Sequence, residues 1–273
     1  MSLCPVGGLP MRAASSLVVA ALALLALTAG ASAEAPRLRL LVPAYFYPAG
    51  NGLRQWDRLI AAASRAPVVA VVDPDSGPGK APDPNYVAVL DRARRAGVTL
   101  VGYVSTHYTE RPLAGAKADV DRWVQFYPQV QGIFADEQNS GATKVGYYAE
   151  LYEHARKKIS HALVLTNPGT PCAPEYLAKP ATDTACLYER DKGFPDFRMP
   201  DWTKRYAADR FAVVVYRVPD ADTMRAYVRQ AARQGIGNVY FTDAGGGNPY
   251  DRLPPYWDEE VRAVERCNRE AGR

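Results

Sequence analysis

The chain has 273 residues and a formal net charge of +4, from 33 Lys and Arg against 29 Asp and Glu. Acids and bases are mixed along its length, which argues against a nucleic-acid binder with its clustered cations. Four cysteines and three histidines, with no CxxC or His-rich spacing, predict neither a metal site nor a cofactor.

Residues 1–33 read as a secretory signal peptide. Arg12 supplies the basic start, residues 17–27 the apolar run, and Ala31-Ser32-Ala33 the cleavage site. The apolar run is too short for a membrane span. The remainder, residues 34–273, is expected to be one secreted domain, extracellular or periplasmic, and a monomer. Export permits a disulfide. Cys172 and Cys186 flank one loop and are the expected pair, with Cys267 free; three unpaired thiols are the alternative.

From residue 38 onward, short β-branched runs alternate with longer amphipathic stretches eight times. Strands are expected at 38–44, 68–72, 99–104, 132–135, 162–166, 184–188, 211–216 and 238–242. Helices are expected near 53–64, 84–96, 115–127, 143–159, 174–179, 201–208, 220–234 and 256–269. Strands alternating with helices read as βαβ units on a parallel sheet. Buried parallel strands should be continuously apolar, and residues 68–72 and 213–215 are. Eight units predict an α/β protein built as a single (β/α)8 TIM barrel. The fifth and sixth helices are short and interrupted by proline.

A barrel places its chemistry where strands end. Tyr45, Asp73, His107, Tyr108, Asp136, Glu137, Asn167, Glu189, Tyr216 and Asp243 stand there. A carboxylate closing an apolar strand is costly to bury and needs a reason. Asp136-Glu137 closes the fourth strand and Glu189 the sixth, so the two sites face each other across the mouth. Paired carboxylates at that spacing suit glycosidic cleavage. Strict alternation would send Asp136 and Glu137 to opposite faces, which leaves open which of them is the nucleophile. The separation that distinguishes retaining from inverting chemistry is also open. Tyr45 and Tyr108 are expected to stack on sugar faces, and Asn167 to meet a sugar hydroxyl. No G-x-S-x-G elbow and no H-E-x-x-H motif offers a different chemistry.

These residues resemble the spherulin 4-like (spherulation-specific family 4) proteins, whose glycosidase members form glycoside hydrolase family 135. The likeness rests on Val42-Pro43-Ala44-Tyr45-Phe46-Tyr47-Pro48, on the strand ending Tyr103-Val104-Ser105-Thr106, and on Gly132-Ile133-Phe134-Ala135-Asp136-Glu137. It continues through Asn167-Pro168-Gly169-Thr170, the strand ending in Glu189, and Asn248-Pro249-Tyr250-Asp251-Arg252-Leu253-Pro254-Pro255-Tyr256-Trp257. The resemblance implies a barrel that cleaves α-1,4-linked galactosamine or N-acetylgalactosamine exopolysaccharide of microbial biofilms. It implies Asp136 as nucleophile, Glu189 as general acid/base and Glu137 as an assisting acid. His107, where a small residue is expected, and the cysteine pair depart from the pattern. The rival readings are a non-catalytic carbohydrate-binding protein of a cell surface or matrix, and a hydrolase of another glycan.

Overall fold

The computed structural model describes residues 37–272; the expected signal peptide, residues 1–33, lies outside them. Eight parallel strands close into one barrel in chain order. They are β1 (Arg39–Ala44), β2 (Val68–Val72), β3 (Thr99–Ser105) and β4 (Gly132–Asp136), then β5 (Leu163–Thr166), β6 (Thr184–Arg190), β7 (Phe211–Val215) and β8 (Asn238–Phe241). Outside them lie α1 (Gly50–Ala62), α2 (Pro84–Arg95), α3 (Leu113–Phe126) and α4 (Val145–Lys158), then α5 (Glu175–Ala178), α6 (Ala221–Arg233) and α7 (Trp257–Ala271). The predicted (β/α)8 barrel is the observed fold.

Local chemistry explains the helices. Asp83 caps α2 by accepting the Asn85 N–H at 2.8 Å, Pro84 opens it, and Arg92, Arg94 and Arg95 complement the dipole at its end. Asp220 caps α6 through the Thr223 N–H at 2.8 Å. The expected helix near 201–208 is absent. Between β6 and β7 the chain instead makes three short 3₁₀ turns, Phe194–Asp196, Asp201–Arg205 and Ala208–Arg210. Gly193 in the left-handed region, Pro195 and Pro200 break any continuous α-helical run there.

Close approach sets the β3–α3 contact. A side chain at Gly102 would come within 2.4 Å of the Trp123 indole, whose N–H donates to the Tyr103 carbonyl at 2.8 Å. Elsewhere the ring is closed less completely. β1 pairs with β2 over five residues but with β8 only at Arg39–Asn238 and Leu40–Val239. Above that short pairing, buried Glu260 of α7 accepts the Phe241 N–H at 2.9 Å. Burial pushes the Glu260 carboxyl well up, against the pull of the Phe241 N–H that it accepts.

The register between β6 and β7 slips by one residue between Cys186 and Tyr188. Leu187 packs outward beside Tyr176 and Phe211, and Tyr188 also turns outward onto Phe194 and Phe197. Two successive outward side chains break the period of two, so the next residue, Glu189, points inward like Cys186. The facing of β6 also corrects the disulfide expectation. Cys172 and Cys186 are free thiols, because Cys172 lies in the outer cluster with Tyr176 while Cys186 faces the barrel interior.

Candidate active site

Three strand ends build the centre of the mouth. Asp136 closes β4, Asn167 follows β5 and Glu189 lies near the end of β6. Backbone pairing holds Asn167 in place, with its N–H on the Ala135 carbonyl at 2.9 Å and its carbonyl accepting the Gln138 N–H at 2.9 Å. Its Oδ1 accepts the Gly169 N–H at 3.0 Å, which turns the amide nitrogen toward the acids. That nitrogen donates to Asp136 Oδ1 at 2.7 Å and also to Glu189 Oε2. Two oxygens sharing one amide nitrogen lie roughly 4–5 Å apart.

Tyrosines complete the shell. Tyr250, from the loop after β8, donates to Glu189 Oε1 at 2.5 Å. Tyr103 of β3 donates to Asp136, which also accepts the N–H of Glu137. Tyr45 is edge-on to both Tyr103 and Tyr250, with ring centroids 5.9 and 5.7 Å away. Burial and then the neighbouring Glu189 charge raise the Asp136 carboxyl to about 6, against the pull of Glu137, Asn167 and Tyr103. Burial also carries Asp73 to about 6, although it accepts the Gly77 N–H at 2.6 Å. Burial and the facing Glu189 push the Tyr250 hydroxyl strongly upward, so it serves as a donor.

Glu137 enters the same mouth. Its φ of 56° is left-handed, which undoes the alternation that would turn it away from Asp136. Ser105 donates to Glu137 Oε2 at 2.5 Å, the His107 N–H at 3.2 Å, and the His107 ring nitrogen Nδ1 lies 3.4 Å off. His107, Tyr108 and Thr109 are left-handed too, so the loop after β3 is wound tightly over this acid.

Three hollows adjoin across the mouth. One of about 560 Å³ is lined by Tyr45, Asp73, Glu189, Tyr216 and Tyr250. The next, about 310 Å³, shares Glu189 and adds Tyr108, Asp136, Glu137, Asn167 and Arg190. A third, about 560 Å³, shares Glu137 and runs past Ser105 and His107 to Lys80 and Arg111. Tyr108 is 56% exposed and offers its ring to anything lying in the trough. Of the residues expected at the site, only Asp243 lies apart: Arg252 grips both its oxygens at 2.8 Å, making it a strut of the loop that carries Tyr250. Ser105 stands at an expected strand end, and Tyr103 and Tyr250 are among the loop aromatics, but the sequence singles out none of the three as a site residue. Their signal was position alone, on a strand end or in the loop after the last strand.

Residues 39–264 match the family model described as spherulation-specific family 4. The chain belongs to that family. A relative, Spherulin-4 of Physarum polycephalum, is 29% identical over 242 residues, covering 85% of this chain and 71% of that protein. The crystal structure of Aspergillus clavatus Sph3 in complex with GalNAc superposes with a TM-score of 0.72 at 25% identity, over 84% of this chain and 98% of that one. The cyclic α-maltosyl-(1→6)-maltose hydrolase of Arthrobacter globiformis shares the barrel alone, with a TM-score of 0.56 at 9% identity over 86% of this chain and 82% of that one. This family member therefore shares its barrel with carbohydrate-active proteins.

Proposed function

We propose that this protein is a secreted glycoside hydrolase that cleaves an amino-sugar polysaccharide internally, with retention of configuration. The observation that carries the reading is the single amide of Asn167 bridging Asp136 and Glu189. Retaining enzymes hold their two carboxyls about 5–5.5 Å apart, whereas inverting ones leave about 6.5–9.5 Å for a water. A shared donor leaves no room for that water between the nearest oxygens.

Asp136 is the nucleophile. At neutral pH, above its value of about 6, it is ionised as attack on the anomeric carbon requires. Glu189 is the acid/base, placed by Asn167 and Tyr250. As general acid, Glu189 gives its proton to the leaving oxygen while positive charge grows at the sugar carbon beside the Asp136 anion. Asp136 then forms the covalent glycosyl intermediate, and Glu189 takes a proton from the water that hydrolyses it. Glu137 assists beside them.

The substrate class follows from the trough and the relatives. Adjoining hollows on either side of the pair suit a polymer threaded across the mouth rather than a chain end. The GalNAc held by the similar Sph3 structure supports α-1,4-linked galactosamine or N-acetylgalactosamine as the repeating unit. Tyr45, Asp73, His107, Tyr108, Asn167 and Tyr216 are the proposed contacts.

The test is release of soluble oligosaccharide from α-1,4-galactosaminogalactan by the parent, Asp136→Asn and Glu189→Gln. Cleavage by the parent alone, with the α-anomer appearing first by NMR, supports the proposal. Binding without cleavage in all three would make the protein a carbohydrate-binding barrel.

A further inference from the structure

Asp136 and Glu137 are consecutive, yet both carboxylates reach the mouth. What holds the peptide between them is a pair of hydroxyls with no path to substrate. Thr106, at the end of β3, is fully buried, and Tyr148 of α4 is 1% exposed in the outer cluster. Thr106 Oγ1 lies 2.8 Å from the Asp136 carbonyl, 2.9 Å from the Glu137 carbonyl and 2.8 Å from the Tyr148 hydroxyl. The Asn139 N–H donates to that Tyr148 oxygen at 2.9 Å.

The Tyr148 hydroxyl has two acceptors in reach, Thr106 Oγ1 at 2.8 Å and the Glu137 carbonyl at 3.4 Å. Tyr148 accepts from Asn139, and its shorter contact directs its own O–H to Thr106 Oγ1. The Thr106 O–H is then free to serve the carbonyls of Asp136 and Glu137 together. The Tyr108 N–H adds a second donor to the Glu137 carbonyl at 2.8 Å. A left-handed φ at a glutamate is unfavourable on its own and persists only where its surroundings fix it.

Resting on the glycosidase reading, we infer that Thr106 and Tyr148 are positioning residues: their hydroxyl relay locks the Asp136–Glu137 turn so that both acids face the substrate. The turn also aims the Glu137 N–H at the Asp136 carboxylate. Loosening it withdraws a donor from the ionised form. The other titratable groups near Asp136 stay in place: Glu189 and Cys186 from β6, Tyr103 from β3, Tyr45 after β1, and Tyr108.

The experiment compares Thr106→Val, Thr106→Ser and Tyr148→Phe in the full chain. Hydrolysis of α-1,4-galactosaminogalactan is followed across pH, and the Asp136 carboxyl is titrated by carbon NMR. Thr106→Val and Tyr148→Phe should lose roughly tenfold in kcat with KM little changed, and Asp136 should titrate about half a unit higher. Thr106→Ser, which keeps the hydroxyl, should restore both. An unchanged Asp136 titration in folded Thr106→Val and Tyr148→Phe overturns the inference. Should Thr106→Val fail to fold, Tyr148→Phe decides the matter by itself. A parent that hydrolyses nothing would sink the glycosidase reading, while the NMR titration would still decide the relay.

Discussion

Asn167 and Asp136 meet at 2.7 Å through an amide nitrogen that also serves Glu189. Replacing Asn167 with alanine takes a donor from both carboxylates at once. Their mutual repulsion then acts without compensation, so the Asp136 carboxyl should rise above 6. Activity on galactosaminogalactan should fall about 100-fold, with its acid limb moved to higher pH. A kcat/KM profile across pH reads both effects, and an unmoved acid limb would refute the bridging role.

Tyr250→Phe removes the donor on the other oxygen of Glu189 while leaving the ring against Tyr45. The expected result is a loss of roughly 10-fold or more in kcat, with Tm within a few degrees of the parent. Equal kcat in the two proteins would show that Glu189 is placed by Asn167 alone.

The raised carboxyls also set how stability depends on pH. Asp136 and Asp73 hold protons up to about 6, whereas the unfolded chain releases them near 3.8. Their contribution is therefore fully present below pH 4 and is lost as pH rises to about 6. For Asp136 it amounts to on the order of 1–3 kcal/mol. Urea denaturation at pH 4 and pH 6.5 should show a smaller loss across that interval in Asp136→Asn than in the parent. Identical losses would mean that Asp136 titrates normally.

The thiols offer a simple check on the β6 geometry. Alkylation of the denatured, unreduced protein should label Cys172, Cys186 and Cys267, and reductant should leave Tm unchanged. A protected Cys172–Cys186 pair would mean that the strand does not turn Cys186 inward.

Gly102→Ala tests the β3–α3 contact. The added methyl collides with the Trp123 ring, a rigid neighbour, so a destabilisation of about 1–3 kcal/mol is expected from urea denaturation. A neutral result would show that α3 can shift away from β3.

The barrel was legible because parallel strands buried on both faces are written as unbroken apolar runs. Residues 68–72 and 213–215 are such runs; the first is the whole of the observed β2 and the second closes β7. The strand-end acids were legible for the converse reason, as charge where charge is costly. What the pattern does not carry is any single-residue departure from it. The extra residue at Leu187 and the left-handed Glu137 each decide where a carboxylate points, and neither alters hydropathy. Tyr103 and Tyr250 hid among seventeen tyrosines, most of which could as readily fill the core. The missing helix after β6 was foreshadowed by its prolines, but its replacement by 3₁₀ turns was not.

The slip at Leu187 gives the mouth a parity. Had β6 kept strict alternation, Tyr188 would face the barrel axis and Glu189 the surrounding helices, with the pairing to β7 otherwise possible. The same eight strands, tyrosines and trough would then surround one acid short of a pair. On the proposed reading, one residue of strand length separates a barrel that cuts a glycan from one that can only hold it.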